Sequence, residues 1–445
     1  MPASPLDSGL YRDLFTDVEV ARLFTDSAEV RAMLLVEGAL AKAQAKHGLI
    51  PEISAAAIQR AAMEVQIDPT GLAAETACSA VPVPALVAAF RTAMEAPEHS
   101  QYIHWGATSQ DIMDTALALR LRQVMALFDA RIRSVLTSLA TLAEDHAETP
   151  MAGRTYGQLA TPTSFGAVTA SWGAPLLGPV RQRSDIARDL LHVSLSGAAG
   201  TLSVMEDKGP DVRASLAEAL KLSDPGGTWH SNRSAIAQFA GWMTMVASAL
   251  GKMGEDLLIL TQSGIDEIDL TGTGSSSTMP QKANPVAPSA LVALARHAVG
   301  LNATLQAAPM HRLQRDGAAW LTEWLTLPQL CQTLGGALRV ADETLQGLGP
   351  NPQAMTANID PSGLGLIYAE ALSFALTRQM PRPEAQAQIA ALCAEARTTS
   401  TPLPDLAQRD IPDLDVSSFT PLAQMGQAPR EARAFSSAIR ALLEN

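Results

Sequence analysis

The chain has 445 residues, of which 47% are hydrophobic, so it can bury a large core and is not a disordered chain. Its 45 acidic residues outnumber its 32 basic residues, and the net charge of −13 argues against a nucleic-acid partner, which attracts basic surfaces. This balance does not exclude an anionic small molecule, because a cleft can be locally positive on an acidic protein.

The three cysteines, Cys78, Cys331 and Cys393, are far apart, and no pair has the spacing of metal ligands. No basic and apolar leader is visible at the N-terminus, and no apolar run approaches the roughly 20 residues of a membrane-spanning helix. We therefore expect reduced thiols and a cytoplasmic protein that binds neither membrane nor nucleic acid.

Helical patterns dominate the chain from its first clear element onward, because alanine and leucine are abundant and alternating β-branched runs are scarce. Asp26, with Glu29 three residues later, is typical of a capping box and predicts the start of a helix. The same helix is expected to end near His47 and Gly48.

The segment at 107–149 contains neither Gly nor Pro, and its apolar residues recur at spacings of three and four. This pattern is a heptad-like seam, and a helix of that length would span about 60 Å at 1.5 Å per residue. The seam consists of Leu117, Leu121, Val124, Phe128, Ile132, Val135, Leu139 and Leu142. Such a long helix predicts a bundle, with partner subunits along its length.

Two further long helices are predicted at 232–263 and 288–306, and they flank a segment rich in Gly, Ser and Thr at 270–285. A break of this kind is the expected place for a mobile functional loop. A Gly/Pro cluster at 347–352 predicts a boundary, and shorter helices are predicted after it at 362–378 and 383–397.

These elements predict an all-α fold with a central bundle of long helices. The predicted division is an N-terminal helical domain at 1–106, a central bundle at 107–350 and a C-terminal helical domain at 351–445.

A polar block precedes the long helix and reads His-Trp-Gly-Ala-Thr-Ser-Gln-Asp from His104 to Asp111. Thr108 and Ser109 would place hydroxyls and helix-start amides where an anion can bind, or they form an ordinary N-cap. His104 is either a substrate contact or a structural histidine, and the sequence leaves both interpretations open.

A second block, at 153–163, reads Gly-Arg-Thr-Tyr-Gly-Gln-Leu-Ala-Thr-Pro-Thr. Thr155 and Gln158 are polar side chains that suit substrate contacts. Tyr156 can donate a proton or a hydrogen bond to a substrate, or it can pack in the protein interior.

The Gly/Ser segment ends in Ser-Ser-Thr-Met-Pro-Gln-Lys-Ala-Asn-Pro at 276–285. Lys282 offers a cationic donor and Asn284 offers amide donors, and both suit a substrate carboxylate. A serine beside them could act as a base, provided that nearby amides and cations lower its pKa in a site closed to water.

These blocks together resemble the aspartase/fumarase superfamily, whose loop pattern is Gly-Ser-Ser-x-Met-Pro-x-Lys-x-Asn-Pro. Aligned on Met-Pro, the family's catalytic serine falls on Ser276, whereas placing the family's glycine on Gly274 would make Ser275 the base. The resemblance implies that Thr108 and Ser109 contact substrate carboxylates. It also implies polar substrate contacts for Thr155 and Gln158.

Three weaker blocks agree with the family's order, at 197–201, 229–233 and 315–324, and the resemblance covers most of residues 26–375. Tyr156 stands where the adenylosuccinate lyases have a histidine, which puts that branch's acid role in doubt. The Trp-containing block from Ala318 to Trp324 is instead similar to the bacterial 3-carboxy-cis,cis-muconate cycloisomerases.

The resemblance to that branch implies a small polycarboxylate substrate, a catalytic Ser276 and no metal or other cofactor. It also implies a homotetramer whose active sites combine residues from different chains. Two alternatives stay open: adenylosuccinate lyase or a related C–N lyase of the superfamily, and a helical scaffold without catalysis. Intact Ser276, Lys282 and Asn284 argue against the scaffold.

Overall fold

The computed structural model describes residues 4–270, 274–275, 278–279 and 282–444. The all-α fold class is confirmed, since helices account for most of the described residues and the strands there form three two-stranded sheets. Within this described part, no helix combines the length and the apolarity that a membrane crossing needs.

The α-helices of the first half of the chain are α1 (Arg12–Phe15), α2 (Val18–Ala21), α3 (Asp26–Lys46), α4 (Glu52–Glu64), α5 (Ala73–Ser79), α6 (Val83–Met94), α7 (Pro97–Ser100), α8 (Ser109–Asp145), α9 (Phe165–Gly173), α10 (Leu177–Leu190) and α11 (Gly209–Leu220). The later helices are α12 (Ser234–Leu260), α13 (Val286–Leu305), α14 (Gly317–Gln346), α15 (Pro352–Ala357), α16 (Ala369–Leu376), α17 (Arg382–Thr399), α18 (Leu403–Asp410) and α19 (Ala428–Glu444).

The strands are β1 (Pro150–Thr155), β2 (Gln158–Ser164), β3 (Ile268–Leu270), β4 (Gly274–Ser275), β5 (Ala283–Asn284) and β6 (Leu348–Pro350). They pair antiparallel as β1 with β2, β3 with β6, and β4 with β5. The Gly/Pro cluster at 347–352 therefore contains a strand that pairs with β3.

The chain divides into two compact units, each built from separate stretches of sequence. Unit 1 comprises Met1–Arg131, Gly178–Ser248 and Leu294–Arg339, and unit 2 comprises Ile132–Leu177, Ala249–Ala293 and Val340–Asn445. The three-domain division expected from the sequence stays a prediction.

The core of unit 1 forms around α3, whose buried face includes Met33, Leu34, Val36 and Leu40. The helix begins one residue earlier than the capping-box pattern predicts, because the Thr25 hydroxyl accepts the Ala28 N–H at 3.2 Å. Asp26 is then the first helical residue, where its negative charge faces the positive end of the helix dipole. The predicted stop is correct, since Gly48 follows with φ of +67°.

The long helix of the sequence prediction is confirmed as α8, which is 37 residues long and two to four residues shorter at each end than 107–149. The seam residues are buried except for Leu117 and Leu142, which are half-buried. The predicted helices at 232–263 and 288–306 correspond to α12 and α13. The helix predicted at 362–378 is shorter, because Gly363 and Gly365 adopt positive φ before α16 begins.

Candidate functional site

His104 lies in a left-handed turn of unit 1, with φ of +65°, just before the start of α8. The Glu37 carboxylate accepts two hydrogen bonds from it: Oε1 from ring Nδ1 at 2.7 Å and Oε2 from the backbone N–H at 3.1 Å. Gln44, two helical turns further along α3, donates to the carbonyl of Trp105 at 2.5 Å. Two buried polar residues of α3 thus fix the turn that presents His104.

Thr108 and Ser109 occupy the N-terminus of α8, as the sequence predicts, and both are half-buried. The Thr108 N–H donates to Asp111 Oδ2 at 3.1 Å, and the Thr108 carbonyl accepts the Asp111 N–H at 3.0 Å. These reciprocal bonds are an N-terminal cap in which Asp111 supplies the carboxylate. Both hydroxyls therefore lie beside the positive end of a long helix dipole, which favours an anion.

Asp111, which sequence reasoning did not single out, joins three of the sequence blocks. Its carboxylate is fully buried and accepts the backbone N–H groups of Ser196 and Gly197, both at 2.9 Å. It also accepts the Ser194 hydroxyl at 3.2 Å and His230 Nε2 at 2.8 Å. The Gly-Ala-Ala-Gly-Thr turn and the Trp-His-x-x-Arg block are thereby fixed to the start of α8.

Arg315 is a second residue that the sequence prediction left out of the site. Its Nε donates to Gln110 Oε1 at 2.7 Å, and its Nη2 lies 3.4 Å from both the Thr108 hydroxyl and the Ala198 carbonyl. The guanidinium thus places a positive charge beside Thr108, where a carboxylate of the substrate would benefit from it. Arg315 is the first residue of the family block at 315–324, which was the available signal.

A buried ion-pair cluster lies beneath this region of unit 1. Arg233, 1% exposed, makes paired hydrogen bonds to Asp114 at 2.8 and 3.0 Å and also bonds Glu323, with Nε–Oε2 at 2.9 Å. Burial raises the pKa of Glu323, and the positive charge of Arg233 only partly opposes this rise. Burial would lower the pKa of Arg233, but the carboxylates of Asp114 and Glu323 outweigh it and raise that pKa above its ordinary value. Arg233 is therefore a structural cation that offsets two buried acids.

The block at 153–163 forms the hairpin β1–β2 of unit 2, with Thr155 paired to Gln158 across a two-residue turn. Tyr156 and Gly157 occupy the turn with φ of +51° and +72°, as a type I′ turn requires. Thr155, Tyr156 and Gln158 are all exposed. Tyr156 is 105% exposed, so the interpretation in which it packs inside its own chain is wrong.

Arg154 of the same block has a structural partner. Its guanidinium bonds both oxygens of the fully buried Glu267, with Nη1–Oε2 at 3.0 Å and Nη2–Oε1 at 2.6 Å. Asn358 also donates to Glu267 at 3.0 Å. Glu267 precedes β3, so this bidentate pair fixes the hairpin close to its turn, one residue before Thr155, within unit 2.

The predicted catalytic Ser276 lies outside the described residues. The backbone of Ser275 belongs to β4, which pairs with β5 through Gly274 opposite Asn284 and Ser275 opposite Ala283. Lys282 is exposed, and its backbone N–H donates to the Met279 carbonyl at 3.0 Å. A side chain at Gly274 would lie 2.7 Å from Val286 Cγ2, so β4 passes close to the first residue of α13 there.

The donors of unit 1 can bind carboxylates and stabilise negative charge that develops on them. They are the imidazole of His104, the hydroxyls of Thr108 and Ser109, and the guanidinium of Arg315. Within the described ranges, no group of three or more His, Cys, Asp or Glu residues has an arrangement that could hold a metal ion.

The comparisons with known proteins agree with this chemistry. The model of a lyase family matches residues 15–300. A protein of Pseudomonas aeruginosa named 3-carboxy-cis,cis-muconate cycloisomerase is 37% identical over 87% of this chain and 85% of its own length. The solved structure of the 3-carboxy-cis,cis-muconate lactonizing enzyme from Pseudomonas putida superposes with a TM-score of 0.92 at 32% identity, covering 98% of this chain and 100% of that one. A nitrosuccinate lyase of Streptomyces davaonensis is 35% identical over 91% of this chain and 88% of its own.

Proposed function

Since the chain belongs to the lyase family of the aspartase/fumarase superfamily, we propose that it is a cycloisomerase that converts 3-carboxy-cis,cis-muconate to 4-carboxymuconolactone in the β-ketoadipate pathway of protocatechuate breakdown. The observation that carries the proposal is the full-length likeness to the lactonizing enzyme, which extends over both units. The widely spaced and unpaired cysteines fit a cytoplasmic enzyme.

The chemistry of a tricarboxylate matches the donors of unit 1. A substrate with three negative charges needs several separate donor groups, and His104, Thr108 and Arg315 lie around one end of α8. The helix dipole adds a partial positive charge at the same place. This arrangement favours a polycarboxylate over a neutral substrate.

The reaction is an isomerisation in which one substrate carboxylate oxygen bonds to an alkene carbon. The electron pair of the double bond then moves onto the neighbouring carboxylate as an enediolate, and a proton is added to carbon to complete the lactone. We assign this proton transfer to Ser276. Lys282 and Asn284 supply donors that bind the carboxylate on which the charge develops.

We further propose a homotetramer in which the hairpin residues Thr155, Tyr156 and Gln158 act in a site that includes another chain. Tyr156 supports this, because its fully exposed aromatic ring offers an apolar surface that another chain can cover. In such a site its hydroxyl can contact the substrate or donate a proton.

A substrate panel tests the function. The purified protein should remove the ultraviolet absorption of 3-carboxy-cis,cis-muconate, while leaving adenylosuccinate and nitrosuccinate intact. Nitrosuccinate belongs in the panel because a lyase of that name has comparable identity to this chain. Turnover of nitrosuccinate or adenylosuccinate without turnover of the muconate would contradict the proposal.

A further inference from the structure

Glu37 lies on the apolar face of α3 with only 2% of its surface exposed. Its hydrogen-bond partner is distant in the sequence. Both of its oxygens bond the same residue, since Oε1 accepts from His104 Nδ1 and Oε2 from the His104 backbone N–H. Burying a carboxylate costs several kcal/mol unless hydrogen bonds or an opposite charge compensate. The geometry therefore points to a specific role for the pair.

We propose that Glu37 is a positioning residue that holds His104 in its left-handed turn and keeps the imidazole charged, so that the ring binds a substrate carboxylate as a cation. The identity of that substrate rests on the proposed function, but the Glu37–His104 pair does not.

The backbone geometry supports the positioning role. A non-glycine residue with positive φ is strained and persists where its surroundings enforce it. The Glu37 bond to the His104 N–H and the Gln44 bond to the Trp105 carbonyl are such constraints, and both come from one face of α3. A carboxylate bonded to Nδ1 also fixes the orientation of the ring and directs Nε2 away from α3.

The surrounding charges favour the imidazolium. Burial alone would lower the pKa of His104, but the hydrogen bond and charge of Glu37, together with Asp111 of α8, outweigh burial and the opposing Arg91 of α6. The pKa of His104 is consequently raised above its ordinary value. No side chain in the described part of the structure bonds Nε2, and 20% of the side chain is exposed, so a ligand can reach this second donor.

The test is the pKa of His104 in the substrate-free protein, followed by nuclear magnetic resonance of ring-labelled histidine. The His104 signal is assigned by its loss in His104→Gln. The parent should titrate above 6.5, and Glu37→Gln should lower this pKa by about one unit or more, since one unit is a tenfold change in protonated fraction. Glu29→Gln is the matched control, because it removes another α3 carboxylate, 3.6 Å from Arg120, and should leave the pKa of His104 unchanged.

Kinetics add a second readout. KM for the muconate should rise on the order of tenfold in Glu37→Gln near pH 7.5 with kcat little changed, because uniform binding is lost. In the parent, KM should rise as pH passes the pKa of His104, and in His104→Gln this rise should be absent. If Glu37→Gln fails to fold, the KM profiles of the parent and of His104→Gln still test whether His104 binds the substrate as a cation.

A parent pKa at or below 6.5, or one that Glu37→Gln leaves unchanged, would overturn the assignment. So would a KM that is equally flat with pH in the parent and in His104→Gln. If the titrations behave as expected and the muconate is not turned over, the proposed function fails while the Glu37–His104 pair stands.

Discussion

Single buried charges in unit 1 determine the shape of the carboxylate-binding region. Asp111 fixes the turn at 196–197 and His230. Arg233 balances the negative charges of Asp114 and Glu323 next to this region. Neither residue needs to touch a substrate for its loss to matter. Their role is to place Thr108 and Arg315, which can touch one.

Arg233→Met should destabilise the protein strongly. Removing one partner of a buried ion pair leaves the other uncompensated, at a typical cost of about 3–5 kcal/mol. The loss should be smaller at pH 5 than at pH 8. Burial already raises the pKa of Glu323, and without Arg233 this carboxyl group would bind its proton still more tightly in the folded than in the unfolded protein, which favours folding at low pH. Urea unfolding at both pH values measures this.

Arg188→Met is the matched control for that experiment. Arg188 pairs with Asp185 and Asp189 on the exposed surface of α10, so its loss should leave the unfolding midpoint unchanged. An equal effect of the two substitutions would contradict the structural role of Arg233.

Ser276→Ala should lower kcat by about 10²–10⁴, the usual range for loss of a general acid or base. The free energy of unfolding should change by less than about 0.5 kcal/mol, because the substitution removes a single hydroxyl group whose expected role is catalytic. Ser275→Ala is the control for the alignment, and steady-state kinetics of both variants shows which serine is the base. Inactive Ser275→Ala with active Ser276→Ala would place the base one residue earlier, and two fully active variants would exclude a serine base.

At the scale of elements, periodicity predicts the long helices well because each buries one continuous apolar stripe. The spacing of the seam from Leu117 to Leu142 is sufficient to predict α8, and Gly48 predicts the end of α3. The hairpin β1–β2 was missed, since its alternation is weak and its turn is Tyr-Gly instead of the commoner Asn-Gly.

The site was predictable only in part, for a related physical reason. Motifs marked Thr108 and Ser109, and the structure places them at a helix N-terminus. Glu37 and Arg315 reach the same region from distant parts of the chain, and no local spacing reports such contacts. Asp111 was visible within a motif, but its five hydrogen bonds depend on the tertiary fold.

Close helix packing at Gly336 gives a prediction for α14. A Cβ there would overlap the Phe15 carbonyl oxygen, so Gly336→Ala must displace backbone. We expect destabilisation of about 1–3 kcal/mol or more, the usual cost of overpacking. Thermal unfolding is the measurement.

Gly241→Ala in α12 is the matched control, because a Cβ added there would meet no neighbouring group within 4 Å. Alanine should there stabilise the helix by up to about 1 kcal/mol. Destabilisation of equal size at both positions would contradict the packing argument.

At the scale of the whole molecule, a net charge of −13 coexists with a region suited to anions, because His104, Arg315 and the N-terminus of α8 are concentrated in one part of unit 1. The exposed hairpin tip of unit 2 presents Thr155, Tyr156 and Gln158 to the outside of its chain. In a site shared between chains, both the anion-binding region and the exposed hairpin tip would contact the substrate.

The tetramer is therefore expected at micromolar concentration, with a mass near four times 46.8 kDa by light scattering. If sites combine the hairpin of one chain with Arg315 of another, mixing the triple variant Thr155→Ala/Tyr156→Ala/Gln158→Ala with Arg315→Ala, each expected to be impaired, should restore activity after dissociation and reassociation, because hybrids contain some intact sites. A fully active monomer, or no recovery in hybrids, would contradict shared sites.

The central claim is that the protein closes a lactone, and the product formed in deuterated water tests it most directly. Incubation with 3-carboxy-cis,cis-muconate should yield 4-carboxymuconolactone, which nuclear magnetic resonance identifies with one carbon-bound deuteron added from solvent. Its mass should match that of the substrate in ordinary water, since no atoms are lost. An open-chain product, loss of carbon dioxide, or unchanged muconate would contradict the account.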